Sequence, residues 1–309
     1  MAIVIIRNDH KTPIWLAAFK SFAPKLEVYD YSQPHPKNDI KMAVVWKHTE
    51  GSLNEYPNLE VVHSMGAGVD FILEDSRLNP KWQILRVKDK NLASDMAEYI
   101  LAQLLSVLKE LPNYHHNKIK SLWIPQPYRR ISDVKVGIMG LGTLGLVAAD
   151  LLEKCGFSCL GWTRESNPEV PFPVYSGMHS LKIFLNQSQI LVCLLPLTPQ
   201  TRGILNYSNL QSLPKNAHVI NVARGPLLVE SDLLLAIENG LISGATLDVF
   251  SEEPLSVTHP FWTHPKISIT PHIASVSDPY TVVPQILENY WALLNGGDLL
   301  NQIALHKGY

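Results

Sequence analysis

Short apolar runs alternate with longer stretches whose apolar residues recur every three or four positions, and the alternation holds across most of the chain. Runs rich in Val, Ile and Leu predict buried strands at 2–6, 26–29, 42–46, 59–63 and 84–87, and a second series at 134–139, 157–161, 189–194, 218–222, 243–248 and 267–270. Between the two series, Ser94 is followed by Asp95 and Glu98 and then by Ile100, Leu101, Leu104, Leu105 and Leu108. That spacing predicts an amphipathic helix starting near Ser94 and ending before Pro112. Buried, β-branched strands separated by helices imply parallel sheets covered on both sides, an α/β fold with doubly wound sheets.

A last helical pattern from Pro279 onward carries Val282, Val283, Ile286, Leu287, Tyr290 and Leu293. It follows the second strand series, so it is expected to return to the first. The first domain is then discontinuous, 1–97 with 276–309, and surrounds a second at 98–275, with hinge regions near residues 98 and 275 and a cleft between. The stretch 112–132 has no clear period and carries Trp123, Pro125, Pro127, Tyr128, Arg129 and Arg130. It is expected as a surface arm, near 111–132, whose aromatics either meet a second copy of the chain in a homodimer or pack on their own domain.

Composition changes this picture mainly by exclusion. A chain of 309 residues suits two domains. Charged residues make up 17% and the formal net charge is −2, so nothing draws the protein to nucleic acid or to an anionic membrane. The apolar run 2–6 is too short for a signal segment or a membrane span. Cys155, Cys159 and Cys193 lie in apolar segments without CxxC spacing, which suggests reduced thiols in a cytoplasmic protein. The pair His115 and His116 has no acidic or cysteine companions at ligand spacing, so no metal is expected.

The first candidate chemistry is a glycine loop. Gly140, Gly142 and Gly145 form G-x-G-x-x-G between an apolar strand and a helix of Leu146, Val147, Ala148, Ala149, Leu151 and Leu152. In that setting the motif is a dinucleotide fingerprint of a Rossmann-like domain. The amides at the helix start, from Gly142 through Thr143 and Leu144, are the expected phosphate ligands. About twenty residues on, an acid would take a ribose 2′-hydroxyl, but the strand end reads Gly161-Trp162-Thr163-Arg164. Thr163 stands in the acid's place. Arg164, with Ser166 as a further donor, suits a 2′-phosphate and predicts NADP(H) as the preferred cofactor with NAD(H) still accepted. Against this stand a plain solvated arginine and the adjacent Glu165.

Three further strand ends carry Arg224, Glu253 and His272. Ligands of open α/β sheets bind beyond the carboxyl ends of the strands. Reduction of a carbonyl needs a hydride donor, a cation on the oxygen and a proton donor. Arg224 suits the cation, bridging a substrate carboxylate and its carbonyl, and His272 the general acid, kept protonated by Glu253. Taken singly, a histidine after proline is most often structural and a strand-end arginine a surface ion pair.

Together with Val136 to Gly145, Pro196 to Gly203, Asn221 to Gly225, Leu247 to Pro254 and Thr270 to Ala274, these residues resemble the D-isomer-specific 2-hydroxyacid dehydrogenases, and among them the glyoxylate/hydroxypyruvate reductases. The resemblance extends over essentially the whole length. It implies a flavodoxin-like substrate domain beside the Rossmann-like one, and reduction of a small 2-oxo acid to the D-2-hydroxy acid. Leu195, Pro196 and Thr201 then match the loop on the adenine and phosphate side, and Val222 and Ala223 the path to the nicotinamide. Asp248 matches the residue holding the carboxamide, and Met96 is expected to face the ring. Met65, Gly66, Ala67 and Gly68 resemble a loop whose amides receive the substrate carboxylate, with Trp46 as its cover and Trp123 reaching a neighbouring subunit. A carboxylate at Glu253, where formate dehydrogenases carry Gln, favours carbonyl reduction. The competing reading is a nucleotide-sensing interaction protein of the corepressor type.

Overall fold

Neighbouring residues of a strand point to opposite faces, so a sheet buried on both sides needs strands apolar at every position. Strand β1 (Ala2–Arg7) meets that demand: Ile3 and Ile5 enter one apolar cluster while Ala2, Val4 and Ile6 enter another. The computed structural model describes residues 1–165 and 169–304, and the chain divides into two units, Met1–Leu92 continued from Val276, and Ala93–Ser275.

In the first unit, β1 is followed by α1 (Thr12–Phe22), β2 (Val28–Asp30), β3 (Ile40–Trp46), β4 (Val61–Ser64), α2 (Asp70–Leu73) and β5 (Gln83–Leu85). The strands pair in parallel in the order β2-β1-β3-β4-β5, the flavodoxin-like arrangement. The second unit holds most of α3 (Lys90–Leu108), then α4 (Leu111–Ile119), β6 (Lys135–Met139), α5 (Thr143–Lys154), β7 (Ser158–Thr163), β8 (Val174–Ser176), α6 (Met178–Leu185), β9 (Ile190–Cys193), α7 (Tyr207–Leu210), β10 (Ala217–Asn221), α8 (Glu230–Glu238), β11 (Ile242–Leu247) and β12 (Ile267–Ile269). Its seven-stranded sheet runs β12-β11-β10-β9-β6-β7-β8, again parallel throughout. The chain's path reverses direction between β6 and β9, the switch point where such sheets open a crevice.

The last helix, α9 (Pro279–Asn295), belongs to the first unit. Asp278 caps it by accepting from the Tyr280 amide, and Val282, Val283, Ile286, Leu287 and Tyr290 join the cluster of Ile3, Ile5, Met42 and Val44. One expectation from sequence needs correction: helix α3 begins at Lys90, ahead of Ser94. It ends at Leu108, before Pro112 as expected, and Pro112 stands in the first turn of the separate helix α4, where its missing N–H costs nothing. No helix among the described residues is long and apolar enough to cross a membrane.

Two buried histidines make the fold sensitive to acid. His63 Nδ1 lies 2.8 Å from the Ser64 carbonyl and Nε2 lies 3.3 Å from Asn289 Nδ2, an arrangement that fits only a neutral ring donating through Nδ1. Burial pushes its pKa down to about 4, and burial followed by the field of Arg129 pushes that of His218 to about 3. Both values lie below the unfolded value near 6.5, so the unfolded chain binds the extra protons. The stabilising contribution is therefore complete above about pH 6.5 and is lost as pH falls toward 4 and 3, on the order of 3 kcal/mol for His63 alone. Thermal unfolding midpoints should fall steeply between pH 6.5 and 4. A midpoint flat across that range would show that neither ring is held neutral.

Candidate functional site

Parallel strands send all their carboxyl ends to one edge, and in the second unit that edge collects the glycine loop, the Thr163 strand end and the loops of Arg224, Glu253 and His272. At β6, Gly140 turns with φ of 103°, and a Cβ there would lie 2.8 Å from the Leu194 carbonyl oxygen. Among the described residues, Gly142 caps α5 without a side-chain acceptor for the first helical amides, and a Cβ on it would meet nothing within 4 Å. Thr143 is exposed and Leu144 half-buried, while Gly145 is buried. This is open space in front of helix amides without an acceptor among the described residues, which fits the pyrophosphate of a dinucleotide.

At the end of β7, Thr163 is buried with its hydroxyl 3.2 Å from that of Ser176 on β8. Ser176 had no role in the sequence reading because β8 itself escaped it. Arg164 Nε lies 3.3 Å from Glu165 Oε1. Ser166 lies outside the described residues. After β9, Leu195 is buried and Pro196 half-buried. Thr201 is buried too, donating to the Pro196 carbonyl at 2.7 Å and accepting from the Thr198 amide at 2.8 Å, so its hydroxyl closes the loop on itself.

Arg224 follows β10 through a turn held by Asn221. That wholly buried side chain accepts from the Ala223 amide at 3.2 Å and donates to the Arg224 carbonyl at 2.9 Å, the local back-bonding that asparagine offers at strand ends. Val222 and Ala223 are buried behind it, and Arg224 Nη1 also donates to the Ala223 carbonyl at 2.7 Å. Gly225 then touches the next loop so closely that a Cβ would lie 1.9 Å from the Phe250 carbonyl carbon. Past β11, Glu253 accepts from the Phe250 amide at 3.1 Å through Oε1 and faces His272 Nδ1 at 2.8 Å through Oε2. Glu230 braces the same loop, accepting from the Ser251 amide at 3.3 Å while pairing with His259 at 3.2 Å.

His272 has φ of 55°, a left-handed conformation that costs a non-glycine residue on the order of 1–3 kcal/mol. Its amide donates to the Asp248 carbonyl at 2.8 Å, and the Asp248 carboxylate accepts from the Ile273 and Ala274 amides at 2.9 and 2.8 Å. Asp248, expected toward a carboxamide, thus directs most of its acceptor capacity to the turn that carries His272. Met96 is buried in an apolar cluster with Ile100, Ile138 and Ala274.

In the first unit, Ser64 Oγ donates to the Gly68 carbonyl at 2.7 Å and accepts from the Gly66 amide at 3.2 Å, shaping the loop after β4. Ala67 and Gly68 are its half-buried residues, and their amides have no acceptor among the described residues. Such a pair suits a carboxylate. Met65 turns inward, its sulfur 3.1 Å from Arg7 Nη1. Trp46 would touch a Cβ on Gly66 at 3.1 Å and meets Phe71 edge-on. On the arm, Trp123 is 97% exposed and Tyr128 62%, with Lys109 over the Tyr128 ring.

Residues 101–274 match the family model described as D-isomer specific 2-hydroxyacid dehydrogenase, NAD binding domain. The chain is 35% identical over 314 aligned residues, covering all of both sequences, to glyoxylate/hydroxypyruvate reductase A of Yersinia enterocolitica. It superposes with a TM-score of 0.93 and 35% identity on a D-isomer specific 2-hydroxyacid dehydrogenase from Xanthobacter autotrophicus Py2 crystallised with NADPH and MES, covering 100% of this chain and 99% of that one. An NADPH-dependent glyoxylate/hydroxypyruvate reductase from Sinorhizobium meliloti, in complex with NADP and sulfate, matches at 0.92 and 34% over the full length of both.

The contact between the Arg224 and Glu253 loops yields a prediction. Gly225→Ala forces backbone apart from backbone and should destabilise the second unit by about 1–3 kcal/mol, with the loss read by denaturant unfolding. A variant as stable as its parent would mean that the two loops do not pack as described.

Proposed function

The chain belongs to the D-isomer specific 2-hydroxyacid dehydrogenase family, and from that premise we propose that it is a cytoplasmic, homodimeric reductase. It takes NADP(H) in preference to NAD(H) and converts a small 2-oxo acid of the glyoxylate or hydroxypyruvate kind to the D-2-hydroxy acid. The observation that carries the reading is the 2.8 Å contact between His272 Nδ1 and Glu253 Oε2, at the sheet edge shared with Arg224. A carboxylate on Nδ1 orients the ring and leaves Nε2 as the ring atom that delivers a proton.

Bound NADPH supplies the hydride that reduces the carbonyl carbon. Every other part of the reaction falls to the protein. The guanidinium of Arg224 pairs with the substrate's carboxylate and its carbonyl oxygen, fixing both and stabilising the negative charge that gathers on that oxygen. His272 gives its Nε2 proton to the oxygen and is left as neutral imidazole, and Glu253 keeps the ring oriented throughout. In the first unit, the amides of Ala67 and Gly68, in the loop after β4 near Trp46, are suited to a carboxylate. The first amides of α5, at Thr143 and Leu144, hold the pyrophosphate. Arg164, with Thr163 and Ser176, takes the 2′-phosphate. The exposed apolar residues Leu111, Ile119, Leu122, Trp123 and Ile124 of the arm are assigned to a second copy of this chain, and the free cysteines suit a reducing compartment.

Loss of NADPH absorbance with glyoxylate or hydroxypyruvate tests the activity. A protein that binds NADPH but turns over no 2-oxo acid would overturn it. His272→Ala should lower kcat by about 10²–10⁴-fold, the usual worth of a general acid. Arg224→Ala should raise KM and lower kcat together, since it removes a contact made to both substrate and transition state. Arg164→Asp should shift the ratio of NADPH to NADH efficiency by about tenfold or more toward NADH, equivalent to ~1.4 kcal/mol. An unchanged ratio would move the phosphate contact elsewhere.

A further inference from the structure

We propose that Tyr99, Thr270 and Asp248 form a positioning relay through which helix α3 holds the turn of His272, a role that rests on the reading of His272 as the proton donor. Three observations carry it. The first is the unusual backbone of His272, whose φ of 55° sits between Pro271 and the β-branched Ile273. A turn of that kind keeps its shape only where its surroundings enforce it. The second is the density of hydrogen bonds on Asp248, a residue 1% exposed: the Thr270 hydroxyl donates to Oδ1 at 2.6 Å, the Ile273 amide to Oδ1 at 2.9 Å and the Ala274 amide to Oδ2 at 2.8 Å. The third is the 2.6 Å separation of the Tyr99 hydroxyl from Thr270 Oγ1.

Together these contacts fix the direction of every proton in the chain. An ionised carboxylate only accepts, so Thr270 gives its single hydroxyl proton to Asp248. Tyr99 must then donate to Thr270, and the order reads Tyr99 to Thr270 to Asp248. Burial raises the Tyr99 pKa to about 12, so the phenol keeps its proton across the pH range in which the protein would be assayed. With Thr270 fixing Oδ1, the carboxylate plane cannot rotate, and the two amides that follow His272 find their acceptors in fixed places. The imidazole is thereby presented to Glu253 in one orientation. Tyr99 itself touches neither His272 nor Glu253 among the contacts described. It is a positioning residue, 171 positions from the threonine it serves.

The test compares the parent with Tyr99→Phe, Thr270→Val and Thr270→Ser. Amide hydrogen exchange in the cofactor-free protein is the first readout. Exchange at Ile273 and Ala274 should speed up by about tenfold in Thr270→Val, and by a smaller factor in Tyr99→Phe, without a matching change in the rest of the second sheet. Thr270→Ser keeps the hydroxyl and should restore the parent rate. Kinetics are the second readout: kcat with glyoxylate should fall about tenfold in Thr270→Val while KM for NADPH stays put, with Thr270→Ser again close to the parent. Unchanged exchange at Ile273 and Ala274 in both Tyr99→Phe and Thr270→Val overturns the relay. Faster exchange with kcat intact overturns its link to His272. A parent inert toward every 2-oxo acid, with the exchange effect present, overturns the functional reading and leaves the relay as the support of the turn.

Discussion

The candidate site depends on one constraint: β10, β11 and β12 pair side by side in parallel, so their following loops emerge at the same edge and must fit against one another. The fit is tight. Gly225 leaves no room for a side chain against Phe250, and Asn221 locks the turn before Arg224. Asp248 reaches from the end of β11 to the turn beyond β12. Remove the parallel register and Arg224, Glu253 and His272 are three ordinary polar residues on three unrelated loops.

The energetics of that edge differ from those of the sheet beneath it. Below, buried apolar residues dominate the central strands β6 and β9, and burial of each large side chain contributes roughly 1.5–3 kcal/mol. At the edge the stabilising contacts are hydrogen bonds on buried polar groups, each worth about 1 kcal/mol net but costly to leave unmade. The strained backbone of His272 is offset there by the charged acceptor at Asp248, whose hydrogen bonds are of the stronger, charge-assisted kind. A polar edge on an apolar sheet gives fixed side chains next to open space, which is what a proton donor and an anion-binding cation both require.

Much of this was legible in the amino-acid order. Strands announce themselves where both faces are buried, because no polar alternation interrupts them; β8 did not, being three residues long at the sheet's margin and following Pro171 and Pro173. Helix α4 was illegible for the opposite reason, since none of its residues is buried and no apolar stripe marks it. Gly140, Arg224, Glu253 and His272 stood out because each follows a strand. What the pattern could not carry was partnership at a distance. Nothing near Tyr99 points to Thr270, and nothing near Asp248 tells that its carboxylate turns toward Ile273 and Ala274. Thr201 and Met65, both picked out for a ligand, face their own loop and core, since burial is a property of the whole fold.

The central claim is that Arg224 and His272 address one reducible carbonyl. A crystal structure of the protein with NADPH and oxalate, a planar and unreducible mimic of a 2-oxo acid, tests it most directly. The account predicts a carboxylate of oxalate against the Arg224 guanidinium and another oxygen within about 3 Å of His272 Nε2. Oxalate bound away from both side chains, with His272 still paired to Glu253, would contradict it.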